Sequence, residues 1–176
     1  SIIDQMPAGR KPIITRWVKH EQLDTVLTWI KGELEKDAQV YFISPLIEES
    51  EALDLKNAVA LHQELTDFFG DSARVALMHG RMKNDEKDQI MQDFKDKKSQ
   101  ILVSTTVIEV GVNVPNATVM VIMDADRFGL SQLYQLRGRV GRSSRTAYAF
   151  LLYRRDKVLT EVAEKRLSVI REFADF

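Results

Sequence analysis

Five short apolar runs constrain this chain more than any other feature: residues 40–43, 75–78, 101–103, 119–123 and 148–152. Each is continuous rather than alternating. A strand with one wet face alternates apolar and polar side chains, whereas a strand covered on both faces has no reason to. Residues 13–17 form a sixth, shorter β-rich candidate. Helical stripes lie between the runs. Leu23, Val26, Leu27, Ile30 and Leu34 make one, and Leu55, Ala58, Leu61, Leu65 and Phe68 make another, with Gly70 placed to close it. Asn84 is expected to cap a third helix, with Asp85 and Glu86 in its first turn, Lys95, Lys97 and Lys98 near its end, and Ile90, Met91 and Phe94 on its buried side. Leu159, Val162, Leu167, Ile170 and Phe173 mark a last amphipathic stretch. Strands alternating with helices predict an α/β fold, a mainly parallel sheet with helices on both faces.

Function in such a fold collects beyond the carboxyl ends of the strands. Polar residues punctuate the chain there: Ser44-Pro45, His79-Gly80-Arg81, Ser104-Thr105-Thr106 and Asp124 follow successive runs. Thr106 and Glu109 have capping-box spacing, and the helix start they mark offers hydroxyls and free amides to a phosphate. Gly111, Asn113 and Pro115 follow, an ending turn and an extended exit. Glu48, Glu49 and Glu51 read as a solvated helix entrance, and His79 taken alone as a hydrogen-bonded strand-end residue.

Residues 135–142, QLRGRVGR, place three arginines and two glycines in eight positions. As a helix, Gln135, Arg139 and Arg142 share one face, and Leu133, Leu136 and Val140 another. A buried face opposite a Gln/Arg/Arg row makes a stiff mount for bidentate phosphate donors. Charge points the same way. Residues 1–126 carry 14 Lys/Arg against 21 Asp/Glu, and residues 127–176 carry 11 against 5. The basic final third is where an anionic partner is expected.

Absences exclude other chemistry. With no cysteine there is no disulfide or thiolate, and three scattered histidines form no metal cluster. No long apolar segment and no signal-like start occur, so a cytoplasmic protein away from membranes is expected. None of the eight glycines precedes a Lys-Ser or Lys-Thr pair, and no G-x-G-x-x-G occurs. The chain offers arginines to a triphosphate yet has no P-loop to cradle it. It reads as half of a nucleotide site, and as a piece of a longer protein.

Residues 104–115, STTVIEVGVNVP, and residues 135–142 together resemble motifs V and VI of the superfamily 2 helicases, carried on their second RecA-like motor domain. The likeness runs from about Pro12 to the last stretch. Residues 126–142 narrow it to the RecG and transcription-repair coupling factor families, and residues 44–51, SPLIEESE, look like the RecG branch. Residues 1–12 resemble the hinge from a preceding motor domain, 13–155 the RecA-like domain, and 156–176 a truncated C-terminal helix.

The resemblance implies roles. Arg139 and Arg142 match the motif VI arginines that reach ATP on the neighbouring domain, Arg142 as the arginine finger, and Gln135 matches the residue coupling that site to the domain interface. Gly111 and Asn113 match the nucleotide-facing end of motif V, where most relatives have Asp at 113. Thr105, with Thr106, matches the DNA-backbone contact of motif V. Ser44 matches motif IV, and His79 with Gly80 the following strand end. The cofactors implied are ATP and Mg²⁺, held mainly by the first motor domain. The partners implied are branched duplex DNA and that first domain, in a monomer whose isolated second domain is inactive. A coupling-factor motor and a non-enzymatic phosphate-binding α/β module remain open alternatives. A Walker A lysine upstream of Ser1 separates motor from module.

Overall fold

The computed structural model describes residues 13–46, 50–105, 114–137, 140 and 145–154. Strands β1 (Ile13–Lys19), β2 (Gln39–Ile43), β3 (Val75–Met78), β4 (Ile101–Ser104), β5 (Ala117–Ile122) and β6 (Ala147–Tyr153) form one sheet in the order β1-β6-β5-β2-β4-β3. All five pairings are parallel. Helices α1 (Leu23–Glu35), α2 (Glu51–Phe69), α3 (Asn84–Lys95) and α4 (Leu130–Arg137) connect them.

The continuous apolar runs are explained by two separate cores. Val40, Phe42, Ile101, Val103, Val119, Val121 and Leu152 point to one face and pack on Leu23, Val26, Leu27 and Ile30 of α1 and Leu61, Leu65 and Phe69 of α2. Tyr41, Ile43, Leu102, Met120, Ile122 and Leu151 point to the other and pack on Met91 and Phe94 of α3 and Leu133 and Leu136 of α4. Successive residues of one strand thus serve opposite cores, so a polar side chain there is buried and needs a hydrogen-bond partner. Burial pushes the Tyr41 phenol well above its ordinary pKa, which keeps it neutral.

Ser50 caps α2, its Oγ accepting from the Leu53 amide at 3.1 Å. Gly70 follows that helix at φ +52°, a conformation L side chains rarely adopt. One expected cap is corrected. Asn84 is the first residue of α3, and Lys83, extended at φ −69°, ψ 155°, holds the cap position with no side-chain bond. The turn that closes from His79 O to Met82 N uses up the preceding loop and shifts the helix start. Asp85 then bonds the Glu86 amide at 3.0 Å.

Several strands extend beyond their apolar runs, while β5 stops at Ile122, one residue short of its run. β2 begins at Gln39, whose Nε2 donates to Phe94 O at 2.6 Å and Ser99 O at 3.0 Å. The expected helix at 106–109 and the amphipathic stretch at 156–176 lie outside the described residues, as does the hinge at 1–12.

Candidate functional site

Six parallel strands put all their carboxyl ends on one edge, and the strand order decides which loops meet there. β3, β4 and β2 are neighbours, so His79, Thr105 and Ser44 follow adjacent strand ends although 26 and 61 positions separate Thr105 from the other two. Main-chain bonds carry the pairing past the strands. Ser44 N donates to Ser104 O at 2.9 Å, Thr105 N to Met78 O at 3.2 Å, and Met123 N to Ile43 O at 2.9 Å. Three residues expected to touch a nucleic-acid backbone are therefore brought into one row.

Their side chains differ. Thr105 is 5% exposed, and its Oγ1 is buried with no hydrogen-bond partner. An unmatched hydroxyl costs about 1–3 kcal/mol in a folded protein. Ser44 is also buried, at the mouth of a cleft of about 240 Å³. His79 is turned into its own loop, Nδ1 accepting from the Arg81 amide at 3.2 Å, so the neutral ring carries its proton on Nε2. The Arg81 guanidinium pairs with exposed Glu51 at 3.2 Å, tying this loop to the start of α2. Gly80 has a negative φ, and a Cβ built there meets nothing within 4 Å. The fold itself thus has no need of a glycine at 80.

The cleft beside Ser44 opens on the α1/α2 side, lined by His20, Asn57, Glu64, Asp124 and Arg154 among others. Asp124 is left-handed at φ +47°, and its Oδ1 accepts from Arg154 Nε at 2.9 Å. Sequence reasoning marked Ser44 and Asp124 but not Asn57, Glu64 or Arg154. Nothing local signals them, because only the sheet order sets the end of β6 beside the end of β5.

On the opposite face, the helix expected to run through 142 is corrected: α4 ends at Arg137 and Val140 lies beyond it, outside any helix, while the apolar and polar positions still divide as far as they are described. Leu133, Leu136 and Val140 are 3%, 1% and 2% exposed, joined in the core under α3 and α4, while Gln135 is exposed. Gln132 Oε1 accepts from the Gly129 amide at 2.9 Å and closes the first turn of the helix. Val140 sits directly between Arg139 and Gly141, so the buried core reaches into the arginine motif itself. Arg139, Arg142, Gly111, Asn113 and Thr106 lie outside the described residues.

Residues 19–144 match the family model of the helicase conserved C-terminal domain. This chain belongs to that helicase family. The helicase domain is 77% identical over 152 residues to ATP-dependent DNA helicase RecG of Streptococcus pneumoniae serotype 4, covering 86% of this chain and 23% of that protein. It is 53% identical over 175 residues to RecG of Bacillus subtilis, covering 99% of this chain and 25% of that one. The chain spans about a quarter of the length of these curated relatives. Among solved structures it is similar to RecG bound to a three-way DNA junction, with TM-score 0.77 and 39% identity over 97% of this chain and 22% of the other. The C-terminal domain of the DEAD-box protein Dbp5 shares the fold, with TM-score 0.61 and 21% identity over 96% and 87% of the two chains. A six-stranded, all-parallel RecA-like domain is common to them, as the sequence led one to expect.

Among the described residues, no group of three or more His, Asp or Glu side chains is arranged to hold a metal. No described helix is long and apolar enough to cross a membrane.

Proposed function

We propose that this domain is the second motor half of a RecG-type, ATP-dependent DNA translocase that remodels branched DNA such as stalled forks and Holliday junctions. The observation that carries this reading is the alignment of Ser44, Thr105 and His79 on three neighbouring strand ends, together with a core that takes in Leu133 and Leu136 of α4 and, beyond that helix, Val140 within the QLRGRVGR motif. High identity to proteins named ATP-dependent DNA helicase RecG supports the class of reaction, and a related structure holding a three-way junction supports the class of substrate.

In this mechanism ATP and Mg²⁺ are held by the preceding RecA-like domain. Arg139 and Arg142 reach across the gap to the phosphates, Arg142 meeting the charge that develops on the transferred phosphoryl group. Gln135, exposed on α4, links that contact to the domain interface. Gly111 and Asn113 approach the nucleotide from motif V, the Asn113 amide bonding a ribose hydroxyl where a carboxylate is usual. Ser44, Thr105, Thr106 and the His79-Gly80 turn meet the DNA backbone. Closing and opening of the two domains then moves the duplex, in a cytoplasmic monomer. The second domain alone turns over no ATP.

The test uses the full-length protein. Arg142→Ala is expected to lower DNA-stimulated ATP turnover by roughly a thousandfold or more while DNA affinity, read by fluorescence anisotropy on a forked duplex, stays within about threefold. Loss of DNA binding with turnover per bound complex preserved would make Arg142 a DNA contact and sink the assignment.

A further inference from the structure

The nucleotide-facing residues of this reading lie on two connections, one running from β4 to β5 and one from α4 to β6. Both connections end at the same place. Asn113 is three residues before Asn116, and Arg142 is three residues before Arg145. Three residues of chain reach at most ~11 Å, so whatever fixes Asn116 to Arg145 limits how far the two nucleotide contacts can drift apart.

The Arg145 guanidinium makes that connection. Nη1 donates to Asn116 Oδ1 at 3.0 Å and to Asp37 O at 3.4 Å, and Nη2 donates to Lys36 O at 2.7 Å. The acceptors come from two different loops, the exit of α1 and the entry to β5. Asn116 is held through its main chain too, its carbonyl accepting from Gln39 N at 2.7 Å and Thr118 N at 2.9 Å. Asp37, left-handed at φ +68°, is ion-paired with Lys97 of the loop after α3. Each connection also has an apolar anchor close to its nucleotide residue: Val114 next to Asn113, and Val140 two positions before Arg142, both in the same core cluster. A planar fork suits this place, because a lysine's point-like ammonium cannot reproduce a guanidinium's fixed set of donors.

We propose that Arg145 and Asn116 form a positioning pair, a polar post at the amino edge of the sheet that sets motif V and motif VI relative to one another for ATP hydrolysis. The proposal rests on the reading above that Asn113 and Arg142 face ATP. Neither member of the pair touches substrate in it. Both act through the segments they terminate, and a misplacement of about 1 Å in such a segment costs on the order of a hundredfold in rate.

The experiment uses full-length protein with forked DNA and four substitutions: Asn116→Leu, Asn116→Asp, Arg145→Lys and Arg142→Ala. Asn116→Leu and Arg145→Lys are expected to lower kcat for ATP by roughly tenfold to a hundredfold. KM for ATP and DNA affinity should each stay within about threefold, since an interaction realised only in the transition state lowers kcat and kcat/KM together. Asn116→Asp keeps an oxygen facing the guanidinium and retains most of the turnover. A purely structural role would lower the melting temperature and leave kcat of the folded protein alone. Unchanged kcat in Asn116→Leu and Arg145→Lys, with Arg142→Ala inactive, overturns the pair and spares the motor reading. Full turnover in Arg142→Ala overturns both. Should Asn116→Leu fail to fold, loss in Arg145→Lys with retention in Asn116→Asp supports the pair, and retention in Arg145→Lys overturns it.

Discussion

The two edges of this sheet are built differently. At the amino edge, loops distant in sequence are stitched together by side chains. Gln39 bonds one carbonyl in the last turn of α3 and one in the loop after it, Arg145 bonds the exit of α1 and the entry to β5, and Gln100 Oε1 takes the Arg74 amide at 2.8 Å. At the carboxyl edge such ties are fewer: Arg81 pairs with Glu51 and Arg154 with Asp124, while His79 bonds within its own turn. Thr105 Oγ1 is left without a partner there, and a cleft opens between Ser44, Asp124 and Arg154. Both edges carry polar residues of the same kinds, so composition does not separate them. What separates them is the number of side-chain bonds between distant loops, which is higher at the amino edge even though Gln39 Oε1 and Ser99 Oγ there, like Thr105 Oγ1 at the other edge, are buried without a partner. Bonds used internally stiffen a frame, whereas groups left unmatched are available to a ligand.

That contrast can be broken by experiment, and the largest effect is expected at the amino edge. Gln39→Leu removes two donors from buried carbonyls and should cost about 2–3 kcal/mol. Hydrogen exchange in the full-length protein should show it as faster exchange of β2 and β4 amides, with DNA affinity unchanged. A drop in DNA affinity without faster exchange would erase the distinction between the edges. Thr105→Val is next. Replacing an unmatched buried hydroxyl with a methyl should leave the melting temperature unchanged or slightly higher. DNA affinity should fall about fivefold if that hydroxyl serves the phosphate backbone. A lower melting temperature with intact DNA binding would give Thr105 a purely structural place. The smallest effect is expected from Gly80→Ala. A Cβ there has open space, so the fold should be indifferent to within about 0.5 kcal/mol. A loss of DNA affinity of about threefold would then report a close approach of DNA to the Gly80 backbone, and no loss would remove Gly80 from the interface.

Much of the architecture was legible because burial on both faces forces continuous apolar runs. All six strands were found, including the short one at Ile13, and the stripes of α1 to α3 named most of the side chains that pack on the sheet. The limits were less legible. Gln39 was left out of β2 because a buried glutamine looks polar until Phe94 O and Ser99 O are beside it. Asn84 looked like a cap because the turn ahead of it could not be seen from helix periodicity. Of the site, the row of strand-end residues and the burial of Leu133, Leu136 and Val140 were readable, whereas the end of α4 at Arg137 was not. Asn57, Glu64 and Arg154 beside the cleft were not, nor was Arg145 as a tie between loops.

By itself, then, the amino-acid sequence determined the fold class, the two apolar faces of each central strand, and the family to which the arginine motif points. These are local patterns, written in periodicity and short spacing, and they need no knowledge of which strand lies next to which. Only the tertiary structure decided which loops became neighbours. The order β1-β6-β5-β2-β4-β3 sets Ser44 beside Thr105 and Arg154 beside Asp124, and brings Arg145 to Asn116 across 29 positions. Contacts of that range are paid for in chain entropy by the whole core, so no single stretch of sequence announces them.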